Sequence, residues 1–220
     1  MEKIASSVAI FDLDYTLLEG DSEALWSQFL VEKGLVGKEF LERIQDYYRD
    51  YEQGSLDFIE YEEFLLGSLT LQPMEALVRL RDEYLERVRL VIRPAIAERV
   101  QWHSTQGHTL VMVTATNRFL AEPIAAILHF QNLICTEVKH MGDSYTNKVE
   151  GIPAFGQGKV KLLDQWLAGH ALTLKDSWGY SDSCNDLPLL TRVAHPVAVT
   201  PDARLRTYAL EHTWKIITEP

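Results

Sequence analysis

The most informative stretch of this 220-residue sequence is Val8-Ala9-Ile10-Phe11-Asp12-Leu13-Asp14-Tyr15-Thr16-Leu17, in which four apolar residues run directly into an Asp-x-Asp. An apolar run of this length is typical of a buried strand in a parallel sheet. Ligands of open α/β sheets bind at the carboxyl ends of the strands, which is where Asp12 and Asp14 fall. Two adjacent carboxylates repel each other unless a cation or a shared proton compensates. The stretch therefore predicts a divalent metal, a nucleophile with an acid–base partner, or both.

The composition predicts a globular protein with an acidic surface. Hydrophobic residues make up 46% of the chain and charged residues 24%, both ordinary values for a folded domain. The length suits one sizeable domain, or a core with an inserted subdomain. The net charge of -11 argues against nucleic acid and anionic membranes as partners. The same negative charge opposes an anionic substrate unless a metal and a few cations offset it locally.

Targeting signals and disulfides are not expected. No apolar run approaches the roughly 18 residues needed to span a bilayer, and the first seven residues lack the basic and apolar regions of a signal peptide. The two cysteines, Cys135 and Cys184, lie far apart in the sequence and form neither a disulfide framework nor a thiolate metal site. These features predict a cytoplasmic protein with free thiols.

Between Ser22 and about Arg89 the pattern is helical. Apolar residues recur at helical spacing in three stripes, and the pattern is broken at Gly34, Gly54 and Pro73. No convincing strand interrupts this region. We therefore predict that residues 19–90 form a helical cap subdomain, inserted into an α/β core formed by residues 1–18 and 91–220.

After residue 91 the sequence alternates between strand and helix patterns, which is typical of a parallel sheet flanked by helices. A further segment, Tyr145 to Ile152, is predicted to be short extended structure. The predicted helices run from Pro94 to about Gln106, from about Arg118 to Leu128 and from Lys159 to Leu167, and the predicted strands are Leu110–Val113, Leu133–Val138, Asp176–Tyr180 and Val197–Val199.

Two polar segments open predicted helices. The segment Thr114-Ala115-Thr116-Asn117 offers a hydroxyl and free backbone N–H groups, which suit an anion, although for this segment alone a simple helix N-cap, at Thr116 or Asn117, is the favoured explanation. In Gly156-Gln157-Gly158-Lys159 a lysine occupies the first helical turn, against the helix dipole. A phosphate or a carboxylate cluster nearby would explain Lys159; the alternative is an ordinary surface lysine.

A third polar segment, Ser181-Asp182-Ser183-Cys184-Asn185-Asp186, follows a predicted strand. Paired carboxylates on a tight turn suit hard cations such as Mg²⁺. The alternative is that Asp186 caps the next helix, an explanation that fits Asp182 less well. Each segment alone is a weak signal, but their order and their positions at turns make the combination strong.

Taken together, these segments resemble the haloacid dehalogenase superfamily of phosphohydrolases. Asp12-Leu13-Asp14-Tyr15-Thr16 matches its first motif, Asp-x-Asp-x-Thr, in full. Thr114 matches the second motif, Lys159 the third, and Asp182 with Asp186 the fourth. The resemblance covers the whole chain and implies an α/β fold, with a Rossmann-like parallel-sheet core and a helical C1-type cap inserted after the first strand. The fourth motif looks most like the branch that contains phosphoserine phosphatases and similar phosphatases of histidinol phosphate.

The resemblance also implies roles for the matched residues. Asp12 would be the nucleophile that forms an aspartyl-phosphate, and Asp14 would be the acid and base. Mg²⁺ would be held by Asp12, the backbone carbonyl of Asp14 and Asp182, with Asp186 as a direct or indirect partner. Thr114 and nearby backbone N–H groups, including that of Ala115, would bind the phosphoryl oxygens, and Lys159 would neutralise charge.

The substrate expected from the resemblance is a small phosphomonoester of the histidinol phosphate or phosphoserine type. Glu19 and Asp21 are positioned to receive a cationic group, although Asp21 is equally suited to cap the first helix of the insert. The arginine that binds the substrate carboxylate in phosphoserine phosphatases has no counterpart that we can match. A phosphotransferase with the same intermediate, and a non-catalytic phosphate-binding or scaffold protein, are the alternatives. The sequence does not reveal the oligomeric state.

Overall fold

The computed structural model describes residues 7–218, and its centre is a seven-stranded sheet in the order β4-β3-β2-β1-β5-β6-β7. Every strand pair is parallel except β3 with β4, which is an antiparallel hairpin. The strands are β1 (Val8–Phe11), β2 (Thr109–Asn117), β3 (Asn132–Met141), β4 (Ser144–Glu150), β5 (Trp178–Ser181), β6 (His195–Val199) and β7 (Lys215–Ile217). This arrangement confirms the predicted α/β class with a parallel sheet.

Helices cover both faces of the sheet because side chains alternate along each strand. Ala9 and Phe11 of β1 belong to one apolar cluster, and Val8 and Ile10 belong to the cluster on the other face. The first cluster includes residues of α5 (Pro94–Thr105) and α6 (Arg118–Ile127), and the second includes residues of α7 (Gln157–His170), α8 (Leu187–Leu190) and α9 (Ala203–Glu211). The carboxyl ends of the parallel strands lie together at one edge of the sheet, which the helices on the two faces leave uncovered.

Helices fill the region between β1 and α5, as the stripes predict. They are α1 (Ser22–Glu32), α2 (Lys38–Gln53), α3 (Phe58–Leu66) and α4 (Met74–Leu90), with a 3-10 turn at Gly67–Thr70. The chain enters and leaves this insert side by side, because the backbone N–H of Glu19 donates to the Val91 carbonyl at 2.7 Å. The division into a core and a separate cap at residues 18/19 and 90/91 stays a prediction.

The insert is packed in two layers. Residues of α1 and α4, among them Trp26 and Tyr84, belong to the same apolar cluster as the sheet residue Phe11. Residues of α2 and α3 form a separate cluster around Tyr47 and Tyr61. Helix α3 also reaches the core, because its Leu66 belongs to the cluster of Phe11 and its Glu63 pairs with Lys148 of β4.

Most predicted elements are confirmed, with small differences at their ends. The extended segment around Asn147 is β4, an edge strand paired with β3. Strand β2 continues to Asn117, so the predicted loop at Thr114–Asn117 is the irregular end of a strand; its pairing with β3 shifts register between Val113 and Asn117. The sequence analysis did not predict helix α9 or strand β7. Strand β7 is the outermost strand of the sheet, next to β6.

Candidate active site

Asp12 and Asp14 lie at the carboxyl end of β1, where the first motif predicts them. The backbone N–H of Asp12 still donates to the carbonyl of Tyr180 in the neighbouring strand at 3.0 Å, so Asp12 continues the sheet. Leu13 is fully buried and accepts backbone hydrogen bonds from Leu17 and Leu18 in the following turn. Alternation continued from β1 places the Asp12 carboxylate opposite the Leu13 side chain. Asp14 lies in the turn that follows, and both carboxylates line a cavity.

Lys159 bridges two of the predicted carboxylates inside this cavity. Its Nζ donates to Asp12 Oδ1 at 2.7 Å and to Asp186 Oδ2 at 2.8 Å, and all three side chains are buried. Burial alone lowers the pKa of a lysine, but the carboxylates of Asp12 and Asp186 reverse this and raise the pKa of Lys159. The lysine is therefore charged, and loss of one partner of such a buried pair costs about 3–5 kcal/mol.

The glycine before Lys159 is required by a close backbone contact. A Cβ at Gly158 would lie 1.9 Å from the carbonyl oxygen of Pro153, a distance that no side chain tolerates. The Gly158 N–H also donates to the Phe155 carbonyl at 2.8 Å, which fixes the start of α7. This tight turn places Lys159 in the first turn of α7, where the carboxylates outweigh the unfavourable helix dipole.

Asp182 and Asp186 follow β5, the strand next to β1. Thr16 Oγ1 donates to Asp182 Oδ1 at 2.9 Å, which ties the fourth motif to the first. Ser181 Oγ donates to Asp186 Oδ2 at 2.8 Å, the same oxygen that Lys159 binds. Burial raises the pKa of Asp182 well above its usual value, because little water reaches it and Asp12 lies nearby.

The second motif is arranged differently from its prediction. Thr114 is fully buried and is not part of the cavity wall, which is formed instead by Ala115 and Thr116. The Thr114 hydroxyl donates to Thr116 Oγ1 at 3.0 Å and accepts from the Thr116 N–H at 3.1 Å. Thr116 Oγ1 in turn donates to Asp14 Oδ2 at 2.7 Å. The sequence reading missed Thr116, which it considered only as an N-cap; the N-cap of α6 is Asn117.

Asp14 is held by donors on both carboxylate oxygens. The Ser22 N–H donates to Oδ1 and Thr116 Oγ1 to Oδ2, each at 2.7 Å. Burial raises the pKa of Asp14 to about 7, with a further contribution from Asp21. A carboxyl group with a pKa near neutrality is suited to give and take a proton at physiological pH.

Above the carboxylates the cavity extends to α2 and α3 of the insert and has a volume of about 540 Å³. Its upper wall is largely aromatic, because α2 and α3 turn several tyrosines toward it. The Phe155 ring of the core stacks on Phe58 of α3, with centroids 4.5 Å apart. The aromatic residues of the wall are Tyr15, Tyr47, Tyr48, Tyr51, Phe58, Tyr61 and Phe155.

Acidic side chains other than those of the first and fourth motifs also line the cavity. Asp21 caps α1, since its Oδ1 accepts from the Ala24 N–H at 2.8 Å, which confirms the interpretation as an N-cap. It lines the cavity as well, and its role as a site for a cationic group stays a prediction. Burial raises the pKa of Asp21. Glu19 has an exposed side chain and is not part of the wall. Glu23, which the sequence reading missed, is part of it.

Glu23 has a buried carboxyl neighbour, Glu62 of α3. Asn117 donates to Glu23 Oε1 from its side chain at 2.6 Å and from its backbone at 3.2 Å. Glu62 is fully buried, and neither of its oxygens has a partner in hydrogen-bonding geometry among residues 7–218. Burial raises the pKa of Glu62 to about 8, and the nearby Asn117 offsets only part of this shift. In the sequence, the signal that could have identified Glu62 is its position as a charged residue within the apolar stripe of α3.

We expect Glu62 to make the folded protein less stable as the pH rises. Its folded-state pKa of about 8 lies above the usual 4.5, so between these values the folded state binds more protons than the unfolded state. The stabilising effect of protonation is complete below pH 4.5 and is lost as the pH rises through 8, with a slope of up to ~1.4 kcal/mol per pH unit. In Glu62→Gln the free energy of unfolding, measured with urea at pH 5, 6.5 and 8, should fall less steeply than in wild type.

The matched control for this prediction is Glu42→Gln, which removes an exposed carboxylate from α2. Its stability should follow the wild-type dependence on pH. Identical slopes for Glu62→Gln and wild type would show that Glu62 does not take up a proton on folding.

Basic residues are scarce in the cavity wall. Within the described part of the chain, Lys159 is the only lysine or arginine that lines it. Four nearby arginines of the insert have their own partners: Arg43 contacts Glu60 and the wall residue Tyr47, Arg49 contacts Asp46, Arg79 contacts Glu75 and Arg81 contacts the Phe119 carbonyl. The cavity therefore offers no free cation for a second anionic group on a ligand.

The donor set at the sheet edge fits a magnesium ion with few protein ligands. No three His, Cys, Asp or Glu side chains within residues 7–218 stand together as a ready-made metal site. Asp12 and Asp182 each use one carboxylate oxygen in the hydrogen bonds described above, which leaves the other oxygen for a metal. Oxygen ligands from few residues, completed by water and phosphate, are what Mg²⁺ prefers. Asp186 binds Lys159 and Ser181 through Oδ2, so its Oδ1 is also left for a metal.

Comparison with known proteins identifies the family. The family model for haloacid dehalogenase-like hydrolases matches residues 9–191. The chain belongs to this family. It is 37% identical to a histidinol-phosphatase of Neisseria meningitidis over 96% of this chain and 98% of that protein. It is also 29% identical to a phosphoserine phosphatase of Mycobacterium tuberculosis, over 96% of this chain and 70% of the relative.

Solved structures of this haloacid dehalogenase-like fold agree with the assignment. A protein of unknown function from Bordetella pertussis superposes with a TM-score of 0.91 at 37% identity, covering 97% of this chain and 98% of that one. A substrate-bound phosphoserine phosphatase superposes with a TM-score of 0.71 at 15% identity, covering 98% and 94%, and shows the shared fold. The family and its relatives make this chain a phosphatase. Among residues 7–218 no helix is long and apolar enough to cross a membrane.

Proposed function

We propose that this phosphatase is a Mg²⁺-dependent phosphomonoesterase that forms an aspartyl-phosphate and acts on a small substrate with a cationic group. The observation that supports this most directly is the composition of one cavity. The nucleophile and acid–base candidates Asp12 and Asp14 lie at its lower end, and Asp21 and Glu23 lie among aromatic rings beyond them. A phosphate monoester with a positive charge at its other end matches this distribution.

In the first proposed step a carboxylate oxygen of Asp12 attacks phosphorus. A bond forms between this oxygen and phosphorus, and the bond from phosphorus to the ester oxygen breaks. Asp14, whose raised pKa of about 7 keeps a substantial fraction protonated near neutral pH, gives its proton to the departing alcohol. Lys159 keeps Asp12 oriented and offsets charge as two anionic groups meet.

In the second step water releases the phosphate and restores Asp12. Asp14, now ionised, takes a proton from water, whose oxygen attacks phosphorus as the bond to Asp12 breaks. Asp14 is then protonated again and is ready for the next cycle. The hydrogen bonds from Ser22 and Thr116 hold its carboxyl in place during both transfers.

The residues suited to hold Mg²⁺ are Asp12, Asp182 and the backbone carbonyl of Asp14. When bound, the ion supplies charge neutralisation between the nucleophile and the phosphoryl group. Thr16 orients Asp182 for this purpose. Asp186 positions Lys159. The backbone N–H of Ala115, a residue of the cavity wall, is the nearest candidate to bind a phosphoryl oxygen, because the Thr116 N–H already donates to the Thr114 hydroxyl.

Substrate preference follows from charge. Histidinol phosphate carries an ammonium and an imidazole, both of which are attracted to carboxylates and to aromatic faces. Phosphoserine carries an additional carboxylate, which would meet Asp21 and Glu23 without a free arginine or lysine in the described wall. The histidinol-phosphatase relative supports the same preference. We therefore propose histidinol phosphate, rather than phosphoserine, as the type of substrate.

The reaction class is tested with p-nitrophenyl phosphate. Its leaving group carries no cation, so its binding does not depend on the proposed cation subsite, which is formed by Asp21 and Glu23. Release of p-nitrophenolate should require Mg²⁺ and stop with EDTA. Unchanged hydrolysis in EDTA would contradict metal dependence. A folded protein without hydrolysis of this or any other monoester would instead favour a non-catalytic phosphate-binding role.

We expect Asp21→Asn to raise the KM for histidinol phosphate by about 10-fold or more, because a hydrogen bond to a charged group contributes about 1.5–3 kcal/mol. Asparagine is as good an N-cap as aspartate, so α1 should keep its cap. The kcat should change less than KM, and p-nitrophenyl phosphate should be cleaved at nearly the wild-type rate.

Asp57→Asn is the matched control, since Asp57 caps α3 in the same way and is not part of the cavity wall. It should leave both substrates unaffected. An Asp21→Asn enzyme with an unchanged KM for histidinol phosphate would contradict the proposed cation subsite while leaving the reaction class intact.

A further inference from the structure

A second cavity lies at the opposite end of the sheet from the active site. Its volume is about 590 Å³, within the range of small-molecule sites. It is lined by Trp178, His195 and Lys215, the first residues of β5, β6 and β7, whereas the active site follows the last residues of β1 and β5. The two cavities share no lining residue.

The walls of this second cavity are aromatic and held in place by ring contacts. Trp178 stacks between His108 and His195, with centroid distances of 4.7 Å and 4.5 Å. Trp102 of α5 meets Trp178 edge-on at 6.3 Å and remains 42% exposed. Trp214 closes another side. The two histidine rings cover both faces of Trp178, which fixes it as part of the wall, so the rings left for a ligand are Trp102 and Trp214. Aromatic faces that are held in place are platforms on which a planar ligand stacks at little entropic cost.

The charge of the second cavity is opposite to that of the protein. The chain has a net charge of -11, yet no Asp or Glu is among the described residues that line this cavity. Arg99 and Lys215 do line it, and neither side chain forms an ion pair or hydrogen bond with any residue in the range 7–218. Two free cations beside aromatic rings favour an anion that also has a ring.

We propose that this cavity is a second ligand site, separate from catalysis, for a planar aromatic molecule that carries one anionic group. The ring stacks against Trp102 or Trp214, and the anion binds Arg99 and Lys215. A nucleotide phosphate and an aromatic carboxylate share this chemistry, and the experiment distinguishes between them.

The test is calorimetric titration of the full-length protein with two probes that contain no phosphomonoester. Cyclic 3′,5′-AMP represents nucleotide phosphates, and indole-3-acetate represents aromatic carboxylates. Adenosine supplies a ring without the charge, and acetate a charge without the ring. One of the two probes should bind at least tenfold more tightly than its matching control.

The double variant Arg99→Glu/Lys215→Glu should weaken binding of that probe at least tenfold. The matched control Lys38→Glu/Arg206→Glu changes the net charge equally at exposed positions outside both cavities and should bind within twofold of wild type. Hydrolysis of p-nitrophenyl phosphate should be the same in all three proteins, which also shows that the variants fold.

Three results would overturn the proposal. The first is that neither probe binds more tightly than its control compound. The second is binding that is equal in wild type and in Arg99→Glu/Lys215→Glu. The third is a wild-type dimer in sedimentation velocity that Arg99→Glu/Lys215→Glu dissociates, since the cavity would then be covered by a second copy of the chain.

Discussion

Asp12→Asn should lower kcat by about 10⁴-fold or more, because removal of a catalytic nucleophile leaves only binding and electrostatic effects. The amide keeps the size of the side chain, and its carbonyl oxygen still accepts a hydrogen bond from Lys159, so the buried cluster should remain intact. The measurement is steady-state phosphate release from histidinol phosphate with Mg²⁺, together with a thermal unfolding curve.

Glu52→Gln is the control for this variant. Glu52 of α2 lines the same cavity, has an exposed side chain and forms no hydrogen bond or ion pair within residues 7–218. Its activity should stay close to wild type. An Asp12→Asn protein that turns over at the wild-type rate would remove Asp12 from the role of nucleophile.

Asp14→Asn should separate the two chemical steps. With histidinol phosphate, whose alcohol needs a proton in order to leave, the rate should fall about 10²–10⁴-fold. With p-nitrophenyl phosphate, whose leaving group needs no proton, Asp12 is still phosphorylated, but water is no longer activated. We therefore expect a burst of about one equivalent of p-nitrophenolate per enzyme, followed by slow turnover.

Rapid mixing measures the burst, and acid quenching followed by peptide mass analysis locates the phosphate on the peptide that contains Asp12. The fold should tolerate the change, because an asparagine at position 14 still accepts from the Ser22 N–H and the Thr116 hydroxyl rotates to accept from the new amide. Equal losses on both substrates without a burst would contradict the role of Asp14 as acid and base.

The positions of the acidic motif residues could be predicted because strand ends are readable from the sequence. The apolar run before Asp12 and the one before Asp182 each indicated a buried strand, and parallel strands end at the same edge. Periodicity does not show that β1 and β5 are direct neighbours; only the pairing of Ala9–Phe11 with Trp178–Tyr180 does. The sequence thus predicted that the acidic residues lie at the same edge of the sheet, but it did not predict the distances between them.

Lys159 was predictable for a different reason, a local conflict. A lysine in the first turn of a helix is unfavourable unless something anionic compensates, and Asp12 and Asp186 are that compensation. Conflicts between local preference and observed residue type mark functional positions. Glu62 was a signal of the same kind, a charge in an apolar stripe, but its neighbour Glu23 is 39 positions away in the sequence and no pattern connects the two.

The second motif could not be resolved from the sequence because strand alternation and register decide it. Expecting the strand to end at Val113 put Thr114 first in the loop, but β2 continues to Asn117 with a register shift. Thr114 is therefore buried, and Thr116 contacts Asp14. The second cavity could not be predicted from the sequence either. It is formed by α5 and the first residues of three strands, and one of these strands, β7, has only three residues.

The most direct test of the proposed function is a comparison of kcat/KM for histidinol phosphate and O-phosphoserine, both assayed with Mg²⁺ and with EDTA. On the proposed function, the carboxylates of Asp21 and Glu23 in the cavity wall favour the cationic substrate. We expect kcat/KM to be at least 100-fold higher for histidinol phosphate, with both activities lost in EDTA. Equal values, or a preference for phosphoserine, would contradict the assignment of the acidic and aromatic wall as a cation subsite.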